Sequence, residues 1–143
     1  MNQLAEILEE KARDVFEIDA NASVFEAVQR MVEMNIGSLL VTDGGEITGI
    51  VTERDYLRRV ALEGRTDKET PVREIMSSPL IVVTPDTTID ECMALMTDRR
   101  IRHLPVVDDG KVVGVVSIGD LVKFKSKQQS FEIQYLTDYI TAR

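Results

Sequence analysis

The chain repeats itself. Residues from about Val15 to Asp55 align without a gap on residues from about Leu80 to Asp120, at a constant shift of 65 positions. Identical pairs include Glu26 with Glu91, Met31 with Met96, Ile36 with Ile101, Leu39 with Leu104, Gly49 with Gly114 and Asp55 with Asp120. A register that keeps glycines, aspartates and apolar positions together marks two copies of one supersecondary unit. Such repetition constrains the architecture before any single residue is read.

Each copy reads in the same order. A short apolar stretch comes first, Val15–Ile18 and Leu80–Thr84. The patterns Ser23-x-x-Glu26 and Thr88-x-x-Glu91 then predict capping boxes, in which hydroxyl and carboxylate satisfy amides at a helix start. Apolar residues at helical spacing follow: Val24, Ala27, Val28 and Met31, then Ile89, Cys92, Met93 and Met96. Strands are expected at Ser38–Val41 and His103–Val107, tight turns at Asp43-Gly44-Gly45 and Asp108-Asp109-Gly110, and second strands at Ile47–Val51 and Val112–Val116. These run into helices beginning near Thr52 and Ser117.

The expected fold is therefore α+β: two β-α-β-β-α repeats packed sheet to sheet with pseudo-twofold symmetry, because each is too small to bury its sheet face alone. The boundaries read as an N-terminal helix over 1–14, repeat one over 15–60, a linker with a short helix over 61–78, repeat two over 79–125 and a C-terminal helix over 126–143. Thr70-Pro71 reads as an N-cap and first-turn pair for the linker helix. The stripes Leu4, Ile7, Leu8 and Ile133, Leu136, Ile140 fit helices that either cap the core or form a dimer contact; Phe131, Tyr135 and Tyr139 crowd the second.

Hydrophobic residues make up 43% and aromatics only 5%, so the core must be built from Val, Ile, Leu and Met. A formal charge of −8 disfavours nucleic acid and anionic membranes as partners, so any phosphate ligand needs a local cluster of cations. A single cysteine excludes an internal disulfide. Met1 to Lys11 lacks the apolar run of a signal peptide, and no stretch approaches the roughly 20 apolar residues of a membrane span. A soluble, cytoplasmic protein is expected.

The motif that carries chemistry occurs twice. Gly49-Ile50-Val51-Thr52-Glu53-Arg54-Asp55 closes the first repeat, and Gly114-Val115-Val116-Ser117-Ile118-Gly119-Asp120 closes the second. The hydroxyl residue sits at a helix N-terminus, where free amides and the helix dipole attract an anion. The Asp, three residues on, shares its face and can accept hydrogen bonds from a ribose diol. The Gly would let a ligand approach the strand backbone. Thr-x-x-Asp is also a plain capping box; its doubling at matched positions favours binding. Arg99, Arg100, Arg102 and His103 form the other candidate anion site. Arg99 and Arg100 suit a helix C-terminus, whereas Arg102 and His103 stand at a strand start. Repeat one has Gly37 and Ser38 there, so the two clefts should differ.

Catalysis has little to stand on. Cys92 lies on the apolar stripe, His103 has no nucleophile at motif spacing, and neither Gly-rich turn continues as a Walker loop. No cluster of His, Cys or carboxylates has metal-ligand spacing. No enzyme, catalytic cofactor or metal site is expected.

GIVTERD, GVVSIGD, RIRHLPVVDDGKVVGVVS and SVFEAVQRMVEMNIGSLLV together resemble the CBS-domain family and its tandem pair, the Bateman module, over about Val15 to Lys125. The resemblance implies an adenosyl ligand such as AMP, ADP, ATP, NAD or S-adenosylmethionine, bound between the repeats. By motif, ribose would fall to Asp55 and Asp120, and the sugar-phosphate hydroxyl contacts to Thr52 and Ser117. Adenine would fall to the hydroxyl residue before the first helix of a repeat, here Thr84, and phosphates to Arg102, His103 and Arg54. Asp19 replaces that hydroxyl residue in repeat one. The resemblance also implies a homodimer and a regulated partner protein. A dimeric interaction scaffold with vestigial clefts is the alternative.

Overall fold

The structure, a computed structural model, describes residues 2–10 and 15–129. The elements run α1 (Leu4–Glu10), β1 (Glu17–Asp19), α2 (Val24–Met34), β2 (Ser38–Asp43), β3 (Glu46–Thr52) and α3 (Glu53–Tyr56). A π-helical turn (Leu57–Ala61) and a 3-10 turn (Val72–Glu74) precede α4 (Ile89–Arg99), β4 (His103–Asp108), β5 (Lys111–Ser117) and α5 (Ile118–Gln128). The C-terminal stripe Ile133, Leu136 and Ile140, with its aromatics, lies outside the described residues.

The chain divides into two compact units. One spans the first repeat and the linker; the other joins the N-terminal segment to the second repeat. In the first, β1, β2 and β3 form a sheet in that order, β1 parallel and β3 antiparallel to β2. In the second, β4 and β5 form an antiparallel pair. Both hairpins shift register at matching places, between Val41 and Thr42 and between Val106 and Val107. Both turn through consecutive residues with positive φ, Gly44–Gly45 and Asp109–Gly110, as tight hairpin turns require.

Three local expectations change. The first strand of repeat two contracts to a single parallel bridge, Val83 with Val106, because Pro105 and Pro85 stand where Leu40 and Ala20 donate to the ladder in repeat one, and proline has no amide to give. Ser23 accepts from the Glu26 amide, but the reciprocal bond is missing: Glu26 pairs with Arg30 at 3.5 Å instead. Thr88 and Glu91 complete their box. Thr70 does not cap the linker helix. Its hydroxyl donates to Thr66 O at 2.7 Å, and Pro71 stays extended, bridged to Ser23, so the helix starts later and makes only one 3-10 turn.

A second repeat register, shifted by 68, governs the segments that precede each repeat. Asn2–Leu8 stands to the second repeat as Thr70–Met76 stands to the first. Ile89 N donates to Asn2 O at 2.7 Å, and Val24 N to Thr70 O at 2.8 Å. Leu4 N donates to Thr87 O as Val72 N does to Ala22 O, and Ala5 N to Pro85 O as Arg73 N does to Ala20 O. Leu4, Ile7 and Leu8 are buried in one unit, Val72 and Ile75 in the other. Each repeat is thus covered by the segment that precedes the other repeat. The core of the first-repeat unit gathers Ile18, Val24, Ala27, Met31, Leu39, Val41, Val51, Val60, Val72 and Ile75, with no aromatic side chain among its buried members.

Candidate functional site

At the end of β3, Thr52 is extended and starts α3. Its hydroxyl accepts from Asp55 N at 3.2 Å, while Asp55 Oδ2 accepts from Thr52 N at 2.9 Å and from the Thr52 hydroxyl at 3.2 Å. The three-residue spacing therefore makes a full capping box. Asp55 is half-buried, and burial pushes its carboxyl above the ordinary 3.8. The two Thr52 bonds and the charges of Arg59 and Arg58 oppose that rise without cancelling it. Arg54 stands beside Asp55 on α3, partly exposed.

The second motif repeats this geometry. Ser117 starts α5, its hydroxyl accepts from Asp120 N at 3.1 Å, and Asp120 Oδ2 accepts from Ser117 N at 2.8 Å. The β4–β5 register places His103 directly opposite Ser117, and Ile118 N donates to Arg102 O at 2.8 Å. Arg102, His103, Ser117 and Asp120 thus gather at one end of one hairpin. Arg102 is exposed and His103 partly buried. Thr84 follows the Val83 bridge on the far side of β4 from β5; its amide donates to the Thr87 hydroxyl at 3.1 Å and its own hydroxyl bonds Asp86. The predicted residues divide between the units: Thr52, Arg54 and Asp55 in one, Thr84, Arg102, His103, Ser117 and Asp120 in the other.

The two glycines serve a different purpose from the one expected. A Cβ on Gly49 would lie 2.7 Å from Ser77 O and 2.9 Å from Met76 Sδ; one on Gly114 would lie 2.9 Å from Leu8 Cδ2. The space beside each strand holds the segment in the 68-residue register, not an open approach for a ligand. In the first unit, Ile50 and Ser77 also exchange both backbone hydrogen bonds.

Each unit carries a hollow. Between α1 and α5, Ile7, Glu10, Asp120, Lys123, Phe124 and Lys127 line about 190 Å³. Between α2 and α3, a larger and mainly apolar groove of about 430 Å³ is lined by residues including Val28, Met31, Val32, Ile36, Tyr56 and Leu57. Sequence reasoning missed Lys123 and Lys127. Their signal was present: they continue the helical stripe that starts at Asp120, and three of the chain's six lysines fall within 123–127. Cys92 is fully buried, and burial pushes its thiol up to about 11, which suits a core residue better than a nucleophile. Among the described residues no helix is long and apolar enough to cross a membrane, and no group of three or more His, Cys, Asp or Glu is placed to hold a metal ion.

Comparison with known proteins matches this architecture. The chain is 46% identical over 123 residues to the mitochondrial CBS domain-containing protein CBSX3 of Arabidopsis thaliana, covering 82% of this chain and 60% of that protein's length. A protein with CBS domains from Burkholderia ambifaria MC40-6 superposes with a TM-score of 0.85 at 49% identity, covering 89% of this chain and 96% of the other. The CBS domain pair of protein MJ0100, solved in complex with 5′-methylthioadenosine and S-adenosyl-L-methionine, superposes with a TM-score of 0.72 at 27% identity, over 85% and 98% of the two chains. The CBS domain model itself matches residues 5–62 and 72–127, so the chain belongs to the CBS-domain family and carries two such domains in tandem.

Proposed function

We propose that this CBS pair is a regulatory module that binds an adenine nucleotide and transmits its occupancy to a partner protein. The observation that carries the reading is the doubled motif: in both units a strand ends in Thr or Ser, and an Asp one turn on is locked to that residue at a helix N-terminus. This presents a carboxylate and a hydroxyl together, suited to a ribose and the phosphate beside it. The MJ0100 pair, solved with two adenosyl compounds, supports the ligand class. In this reading Asp55 and Asp120 take ribose, Thr52 and Ser117 the sugar-phosphate link, Thr84 the adenine, and Arg102, His103 and Arg54 the phosphates. Thr84 would exchange its Asp86 partner for the base. Ligand binding would act on the partner by favouring one arrangement of the module over another, which requires different affinities for the two.

Isothermal titration with AMP, ADP, ATP and NAD tests the reading. At least one should bind at or below millimolar concentration, and Asp120→Ala should weaken it about tenfold or more, the scale of a lost hydrogen bond to a charged group. No heat and no thermal shift with any of the four would overturn it.

A second reading, a homodimeric scaffold, is favoured by the groove between α2 and α3. Of its lining, Val32 is 74% exposed and Leu57 56%, and Leu62, five residues on from Leu57, is 82% exposed. The two readings are compatible: Glu53 and Tyr56 of α3 line the groove, whereas the box is built from Thr52 and Asp55.

A further inference from the structure

The hollow between α1 and α5 is ringed by charged side chains. Asp120, Lys123, Phe124 and Lys127 lie at positions i, i+3, i+4 and i+7 of α5 and form one stripe. Ile7 and Glu10 face it from α1. Lys127 Nζ lies 3.3 Å from Glu10 Oε2, with both side chains more than half exposed. Lys125, off the stripe, is bound instead to Asp90 at 2.6 Å. At about 190 Å³ the hollow falls below the roughly 300–1,000 Å³ of pockets that enclose a drug-sized ligand, so it admits part of a ligand only. A helix dipole explains cations in the last turn of α5, but it does not explain Lys123, a turn and more before the end.

We propose that this groove is a polyphosphate subsite: Lys123 and Lys127 receive the phosphate chain of a nucleotide held at Asp120, and Glu10 occupies Lys127 until that chain arrives. The proposal rests on the adenine-nucleotide reading above: it keeps the ribose at Asp120 and moves the phosphates of the second-repeat unit from Arg102 and His103 to α5. At about 1.5 Å per residue, Lys123 stands about 4.5 Å along α5 from Asp120 and Lys127 about 10.5 Å. One phosphate reaches the first lysine; a di- or triphosphate reaches both. Displacing Glu10 costs little, because exposed ion pairs contribute about 0–1 kcal/mol. The −8 charge of the chain makes this lysine stripe a local exception, and its effect falls within about 10 Å at ordinary salt. Number of phosphates, rather than the base, would then be what the second-repeat unit distinguishes.

The experiment is isothermal titration of the full chain with adenosine, AMP and ATP, for the wild type, Lys123→Gln with Lys127→Gln, and Glu10→Gln. The lysine double variant should weaken ATP about tenfold or more, AMP less, and adenosine by less than about twofold. Glu10→Gln should tighten ATP severalfold and leave adenosine unchanged. All three side chains are at the surface, so unliganded melting temperatures should stay close to the wild type and exclude misfolding as the cause. ATP bound equally well by every variant would overturn the subsite while leaving the nucleotide reading intact, with the phosphates assigned to Arg102 and His103. Equal weakening of ATP and adenosine would overturn it too, since the lysines would then only support α5. A wild type that binds none of the three would overturn the subsite, and with ADP and NAD also silent it would overturn the nucleotide reading as well.

Discussion

Asp55 holds a helix start together and, in the proposed function, also binds ribose. Burial raises its proton affinity in the folded chain. The sign of the consequence is fixed: the folded state binds this proton more tightly than the unfolded one, so the stabilisation is complete below 3.8 and is lost as pH climbs through the higher folded value. Chemical denaturation of the wild type and Asp55→Asn, compared across acidic to neutral pH, should show the wild type losing stability relative to the variant as pH rises through that window. A pH-independent difference would mean that the carboxyl is not destabilised by burial. The boxes at Thr52 and Ser117 were legible in the sequence because all their atoms come from four consecutive residues. The role of Gly49 and Gly114 was not legible. The atoms that crowd them, on Met76, Ser77 and Leu8, come from segments whose own repeat runs in a different register. Ile18 comes ten positions after Leu8 but Val83 only seven after Met76, so the repeat changes register just where the neighbours of the glycines lie.

Among elements, α1 shows most clearly how local pattern and tertiary role part company. Its stripe of Leu4, Ile7 and Leu8 predicts a helix, and the helix is there; periodicity leaves open what covers it. The backbone bonds to Pro85, Thr87 and Ile89 settle that α1 belongs with the second repeat. The matching pairs Glu6 with Glu74 and Ile7 with Ile75 were the available clue. Leu4 and Val72 occupy equivalent places and are both fully buried. Leu4→Ala should cost about 2–5 kcal/mol, and Val72→Ala somewhat less, because a smaller side chain is truncated. Native-state hydrogen exchange should accelerate chiefly over 82–129 for Leu4→Ala and over 17–61 for Val72→Ala. Acceleration on the variant's own sequence repeat instead would contradict the pairing. The contracted first strand of repeat two follows from Pro85 beside it and Pro105 in the neighbouring β4, two residues visible in the sequence whose missing amides tell only once the strands are paired.

For the whole molecule, the two repeats have diverged where they meet solvent. Val32, Met34, Leu57 and Leu62 of the first repeat correspond to Thr97, Arg99, Val122 and Lys127 of the second. One outer face is apolar and grooved; its counterpart carries charge. An isologous dimer through the first-repeat face would cover the apolar groove on both copies at once. Val32→Glu with Leu57→Glu should then convert a dimer to a monomer by light scattering, without loss of helix content by circular dichroism. An unchanged mass would place any dimer contact elsewhere. The fold class was legible because its signal, a constant shift over some forty residues, is long; the diverged face was not, because it consists of single substitutions whose exposure only the folded chain decides.

The exchange of leading segments makes the unit of sequence and the unit of folding fall out of step. A cut placed at the boundary between repeats would not yield two halves, because each fragment would take away the strap its sister needs.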